Sequence, residues 1–203
     1  MTTTVYLIRH AAHAFIDRVL VGRSPQVTLS TEGQLQARRL GRSLACEPID
    51  RVQTSPQSRA VETAQPIADE LALPVEIVLP MDELDMGDWT GLSFDELASD
   101  PRWHDWNSQR ATARPPGGES MRELQERVLG HLSSLCEQHP DSAIAIVSHA
   151  EPIRAAILHY RGLPLDAFMQ VRIDPCAVSV LTLGAAGGAI VGEENTVAEM
   201  AAP

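Results

Sequence analysis

The chain has 203 residues, 44% of them hydrophobic and 21% charged, with no long block of one sign, which excludes a fibrous or disordered chain. The formal charge of −11 excludes a nucleic-acid partner, because no basic stripe is present to displace counterions, and an anionic substrate would need a local cluster of cations. Cys46, Cys136 and Cys176 never form C-x-x-C, so free thiols in a reducing compartment are expected. No basic leader and no bilayer-length apolar run occurs, which points to the cytoplasm and away from a membrane. These features predict a single domain over residues 1–203, with a core over about 5–183 and a tail over about 188–203.

Residues 5–8, Val-Tyr-Leu-Ile, form an apolar run suited to a strand buried on both faces, and the run stops at Arg9-His10. Leu35, Leu40 and Leu44 after Ser30 have the spacing of an amphipathic helix, which leads into a weaker strand around residues 49–53. Thr54-Ser55-Pro56 predicts a helix start, with Ser55 as cap and Ala60, Val61, Ala64, Ile67, Ala68 and Leu71 on its apolar face. A strand over residues 75–79 follows. A polar loop with Glu83, Asp85, Gly87, Asp88 and Gly91 then leads to a short helix near Ser93. Residues 100–119, interrupted by Pro101, Pro115, Pro116, Gly117 and Gly118, predict an irregular, lid-like segment holding Trp103, His104 and Trp106.

Ser120-Met-Arg-Glu123 is a capping box opening a helix to about residue 137. Residues 143–147 are a second buried strand, and it too ends at a histidine, His149. A helix over residues 152–160 and a strand over residues 178–183 complete an alternation that predicts an α/β fold, a three-layer α/β/α sandwich with a mostly parallel central sheet.

In such sheets ligands bind beyond the carboxyl ends of the strands, so Arg9, His10 and His149 converge there. Arg59 lies near the start of a helix whose free N–H groups already favour an anion. Singly, each is better explained by packing or solvation. Together, in so acidic a chain, they define a phosphate or carboxylate pocket.

Five motifs carry a resemblance. Arg9-His10-Ala11 stands where Arg-His-Gly is expected, and Thr-Ser-Pro-x-x-Arg-Ala-x-x-Thr-Ala is matched in full from Thr54 to Ala64. Glu83 with Gly87-Asp88-Trp89-Thr90-Gly91, Gly117-Gly118-Glu119-Ser120, and Ser148-His149-Ala150 follow in order. Across residues 5–183 the chain resembles the histidine phosphatase superfamily, also called phosphoglycerate mutase-like. Within it, the small phosphatases that include α-ribazole phosphatase and broad-specificity phosphatases are the nearest in pattern.

The resemblance implies a phosphomonoester hydrolase that needs no metal or other cofactor. His10 would be the nucleophile and Glu83 the proton donor; Arg9, Arg59 and His149 would hold phosphoryl oxygens; Gly22, His13 and Ala150 would border the substrate. A small phosphorylated metabolite is the implied partner, and a monomer or homodimer the implied state. Two departures stand out. Ala11 places a methyl beside the nucleophile, and Ala12-His13-Ala14-Phe15 offers no asparagine for the phosphate, so His13 is either its substitute or, as loop histidines more often are, an exposed residue.

Three rivals remain. A phosphoglycerate mutase shares the phosphohistidine step, but the stretch Asp85-Met86-Gly87-Asp88 differs from the Arg-His-Tyr-Gly of mutases. A metal hydrolase would use His10, His13 and His149, on weak spacing. A catalytically weak phosphoester-binding regulatory module is the non-enzymatic rival.

Overall fold

The computed structural model describes residues 2–184 and 187–197. Among these, β1 (Thr2–Arg9), α1 (Thr31–Leu44), β2 (Arg51–Thr54), α2 (Ser58–Leu71) and β3 (Val75–Ile77) come first. Then follow α3 (Phe94–Leu97), α4 (Pro101–Ser108), α5 (Met121–Gln138), β4 (Ala143–Ser148), α6 (Ala150–Tyr160), β5 (Ala177–Gly184), β6 (Ala189–Val191) and β7 (Thr196–Val197). The sheet order is β3-β2-β4-β1-β5-β6, with β7 also on β5. Strands β3, β2, β4 and β1 run parallel, while β5 lies antiparallel to β1, and β6 and β7 antiparallel to β5.

The two central strands alternate strictly. Val5, Leu7, Ile144 and Ile146 pack with α5 and α6 residues such as Val128, Leu132, Ile153 and Ile157. Tyr6, Ile8, Ala145 and Val147 pack on the other face with Ala37, Leu40, Ala64 and Ile67 of α1 and α2. Each strand therefore buries both sides, which is why it reads as an unbroken apolar run. The expected α/β layering holds, with a mixed, mostly parallel sheet.

Several local expectations are corrected. Leu35 is 41% exposed, and α1 packs instead through Gly33, Ala37, Leu40, Gly41 and Leu44. Helix α2 starts at Ser58 with Gln57 as a cap lacking a side-chain bond, so Ser55 does not cap it. The third strand stops at Ile77, where Leu79–Met81 turns as a short 3-10 helix. Residues 100–119 are not irregular throughout: Asp100 caps α4, Pro101 opens it, and Trp106 is buried against Trp89 and Trp103.

The expected tail from about 188 instead supplies β6 and β7, which satisfy the outer edge of β5; its last residues, 198–203, lie outside the described residues. No helix among the described residues is long and apolar enough to cross a membrane.

Capping is as the sequence implies at Ser120, where both bonds of the box to Glu123 form, and Ser93 with Glu96 makes a second box. Gly33 has a different use. It lets the first turn of α1 touch the loop after His10: the carbonyl of Ala12 accepts the N–H (3.0 Å) and hydroxyl (3.1 Å) of Ser30, and a Cβ on Gly33 would overlap that same oxygen. At an exposed helix position Gly→Ala stabilises by about 1 kcal/mol. Here Gly33→Ala is expected to destabilise by about 1–3 kcal/mol through overpacking, read as a lower urea midpoint at unchanged m-value.

Candidate active site

Parallel pairing of β1 with β4 sets Arg9 opposite Ser148, so the next residues, His10 and His149, emerge side by side with ring centroids 5.1 Å apart. The chain leaving β2 joins them, because the Ser55 N–H donates to the Val147 carbonyl at 2.9 Å. Arg59, second residue of α2, enters from the same end and is fully buried.

The Arg59 guanidinium reads out the protonation of both rings. It can only donate. Its Nη2 donates to the Gly22 carbonyl at 2.7 Å and to His149 Nδ1 at 3.2 Å, and its Nε donates to His10 Nε2 at 3.4 Å. Both ring nitrogens facing it therefore carry lone pairs. The protons sit on the far nitrogens: His10 Nδ1 donates to the Ala11 carbonyl at 2.8 Å, and His149 Nε2 donates to Ser55 Oγ at 2.7 Å. Burial pushes both imidazoles well below the usual 6.5, and the neighbouring Arg59 charge adds to this, so both are neutral.

Arg9 is oriented by donating Nη1 to the Ile173 carbonyl at 2.6 Å. Neither Arg9 nor Arg59 has a carboxylate within ion-pair distance among the described residues. Two nearly buried cations with no direct counterion make an anion site.

Glu83 closes the opposite wall, with Oε2 3.9 Å from His149 Nδ1 and Oε1 accepting the Leu84 N–H at 2.8 Å. Burial, and next the charge of Glu151, push its carboxyl up to about 7 against the pull of that N–H and of Arg59. Its own carbonyl is clamped by Arg23 Nε at 2.8 Å and Arg127 Nη2 at 3.0 Å, and both arginines also donate to Glu119 through their Nη2. Glu119 thus braces the Glu83 loop.

His13 stacks on His10 at 5.4 Å, and its Nδ1 accepts the Phe15 N–H at 3.2 Å, leaving Nε2–H as a donor. Burial, then Arg59 and Arg9, push it down to about 4. Gly22 turns at φ +49° and offers its carbonyl to Arg59. Ala150 opens α6 at the pocket edge. The Ala11 methyl, by contrast, packs with Ile8, Ala60 and Ala64 in the core, while its N–H donates to Thr63 Oγ1 at 3.0 Å.

The pocket encloses about 160 Å³ and brings together Arg9, His10, His13, Gly22, Arg59, Glu83 and Ala150, with His149 directly behind. Its outer wall is apolar, formed by Ile16, Val19, Leu20, Val21, Met86 and Phe94, with Asp17 at the rim. Larger depressions, of about 510, 500 and 440 Å³, lie elsewhere and contain none of these residues.

Some participants were not legible in the sequence. Ser55 reads in the sequence as a helix cap, and Asp82, which accepts from Ser55 Oγ at 3.2 Å and Gln57 Nε2 at 2.9 Å, carries no signal of its own beside Glu83. Glu151 also lines the pocket. Burial pushes it up, but Arg110 at 2.9 Å and Arg154 at 2.6 Å outweigh that and hold it at about 2. Arg110 is itself sandwiched between Trp106 and Phe168, 3.6 and 3.8 Å from their ring centres, in the segment expected to be irregular.

Comparison with known proteins agrees with this geometry. The family profile "Histidine phosphatase superfamily (branch 1)" matches residues 5–196. Phosphoserine phosphatase 1 of Hydrogenobacter thermophilus is 30% identical over 180 residues, covering 86% of this chain and 84% of that protein. A probable phosphoglycerate mutase GpmB of Salmonella typhi is also 30% identical over 180 residues, covering 86% of this chain and 82% of its own length. Among solved structures, a putative alpha-ribazole-5'-P phosphatase from Escherichia coli superposes with a TM-score of 0.86 at 27% identity, covering 97% of each chain. With its motifs folded into one anion pocket, the chain belongs to the histidine phosphatase superfamily, branch 1.

Proposed function

We propose that the chain is a metal-independent phosphomonoester hydrolase working through a phosphohistidine on His10. The observation that carries this reading is the lone pair of His10 Nε2, fixed by the Nδ1–H bond to Ala11 and aimed at the buried guanidinium of Arg59. A neutral imidazole so held is a nucleophile beside a cation that neutralises phosphoryl oxygens.

In the first step His10 Nε2 bonds to phosphorus and the ester P–O bond breaks, its electrons going to the leaving oxygen, which takes the proton of Glu83. In the second, Glu83 as carboxylate accepts a proton from water, the water oxygen bonds to phosphorus, and the P–N bond breaks to restore neutral His10 and release orthophosphate. Arg9, Arg59, His149 and His13 hold the oxygens throughout. A Glu83 carboxyl near 7 suits both duties, since it exchanges its proton readily at neutral pH.

The substrate is a small phosphorylated metabolite, in line with the phosphoserine named for the Hydrogenobacter relative. Hydrolysis is favoured over mutase transfer because Arg9 and Arg59 are the only cations lining the described pocket, and both face the phosphoryl position. A phosphoglycerate carboxylate would have no cation left to meet it. A metal between the imidazoles is disfavoured because Arg59 fills that space with its own charge.

The deciding assay supplies 3-phosphoglycerate and a panel of phosphoesters: free phosphate supports a hydrolase, whereas 2-phosphoglycerate without phosphate supports a mutase. Turnover by neither route would leave only the regulatory module.

His10→Ala is expected to lose the acid-labile, alkali-stable phosphoenzyme and at least about a thousandfold in turnover. Arg59→Lys keeps a charge but cannot face both rings and Gly22, and is expected to lower kcat/KM about a hundredfold at nearly unchanged Tm. For Glu83, single-turnover phosphoenzyme formation from alkyl phosphates should fall as pH rises through about 7, because the protonated form is the acid. Glu83→Gln should abolish that alkaline limb and slow alkyl phosphates far more than p-nitrophenyl phosphate, whose leaving group needs no proton. Equal slowing of both would assign Glu83 to binding instead.

A further inference from the structure

We infer that Ser55 and Asp82 form a positioning relay that lets His149 carry a positive charge when a phosphoryl group is bound. The relay's role rests on the phosphohistidine reading. Asp82 Oδ1 stands 3.9 Å from His149 Nε2, too far for a direct bond. The Ser55 hydroxyl bridges the gap, accepting from His149 Nε2 at 2.7 Å and donating to Asp82 Oδ1 at 3.2 Å.

Every direction in this chain is forced. Arg59 can only donate to His149 Nδ1, which puts the ring proton on Nε2; Nε2–H then occupies Ser55 Oγ as a donor, together with the Gln57 N–H at 3.3 Å, so the hydroxyl proton goes to Asp82. Asp82 is in turn held by Gln57 Nε2 and by the Glu83 N–H at 2.8 Å, which fixes Oδ1 toward Ser55. Ser55 is fully buried, and its hydroxyl does not cap α2. The arrangement is that of an oriented imidazole backed by a carboxylate, with one hydroxyl interposed.

The groups facing His149 divide into two sets. Arg59 of α2, Arg9 and His10 at the end of β1, and Arg127 of α5 oppose protonation. Asp82 and Glu83, from the loop after β3, are the carboxyl groups near it. With the pocket empty the first set wins and the ring is neutral.

A phosphoryl dianion draws the Arg59 Nη2–H from Nδ1 onto its own oxygens, and the ring then takes one proton from solvent onto the vacated nitrogen. Nδ1 then becomes a donor to the phosphoryl oxygens. The charge of the imidazolium is shared through Nε2–H and Ser55 with Asp82, at short range and away from bulk water. The relay acts on the liganded site and leaves the free one unchanged.

The test uses orthovanadate as the phosphoryl probe and 15N-histidine spectra of wild type, Ser55→Ala, Asp82→Asn and the double variant. In wild type, vanadate should convert His149 from neutral to doubly protonated at pH 7. In either variant, the vanadate-bound midpoint should fall by about one pH unit or more, with kcat for p-nitrophenyl phosphate down about tenfold at pH 8 and KM little changed. The double variant should be no worse than the more damaged single, since both cut one chain.

Unchanged midpoints in the variants, or fully additive losses, would overturn the relay while leaving the phosphatase intact. No response of His10 or His149 to vanadate in wild type, with no phosphate release, would instead remove the phosphatase reading and the relay with it. Asp82 lies in a loop and is neutralised independently, so the test stands even if Ser55→Ala fails to fold.

Discussion

The arrangement depends on one costly interaction, a guanidinium fully buried between two neutral imidazoles and a peptide carbonyl. Arg59 meets His10, His149 and the Gly22 carbonyl, all of them uncharged. Such groups satisfy its hydrogen bonds but not its charge, so the cost of removing it from water is only partly offset. The remainder is a cost that an anion in the pocket would offset. Other arginines are handled differently: Arg110, equally deep, is paired with Glu151 and covered by two aromatic faces. The same residue type is thus left open to an anion in one place and closed as a brace in the other.

A chain with a net charge of −11 can hold this site because the field is local. The carboxylates nearest the pocket are engaged elsewhere: Glu151 by Arg110 and Arg154, Glu119 by Arg23 and Arg127, Asp82 by Gln57 and Ser55. Glu83 is the exception, with a single backbone N–H for its side chain, which leaves burial to govern its proton. Pairing its neighbours while leaving it alone is how one carboxyl among many becomes an acid near neutrality.

The site was legible in the sequence where local pattern and global fold coincide. Parallel strands buried on both faces must be apolar along their length, so their ends are marked by the first polar residue, and those residues were Arg9-His10 and Ser148-His149. Arg59 was legible because the motif containing it is matched in full. Ser55 is not legible, because Ser-Pro ahead of an apolar periodicity reads as a cap and only the pairing of β2 with β4 decides that the hydroxyl faces His149. Helix α4 was missed because eight residues between Pro101 and a glycine-rich turn carry too little periodicity. Its tryptophans declare themselves only by packing on Trp89. Strands β6 and β7 have weak strand character of their own and form because β5 offers an unpaired edge.

Those last strands reach further than their size suggests. Asn195, between β6 and β7, accepts the Asp174 N–H at 2.6 Å and donates to the Asp174 carboxylate at 2.9 Å. Ile173, its immediate neighbour, is the residue whose carbonyl orients Arg9. The segment carrying β6 and β7 therefore works as a latch on the first strand's arginine, and the candidate pocket is complete only once that segment and β1 have come together. On a growing chain His10, Arg59 and His149 all emerge before residue 173, so the seating of Arg9 waits on a segment that follows all three.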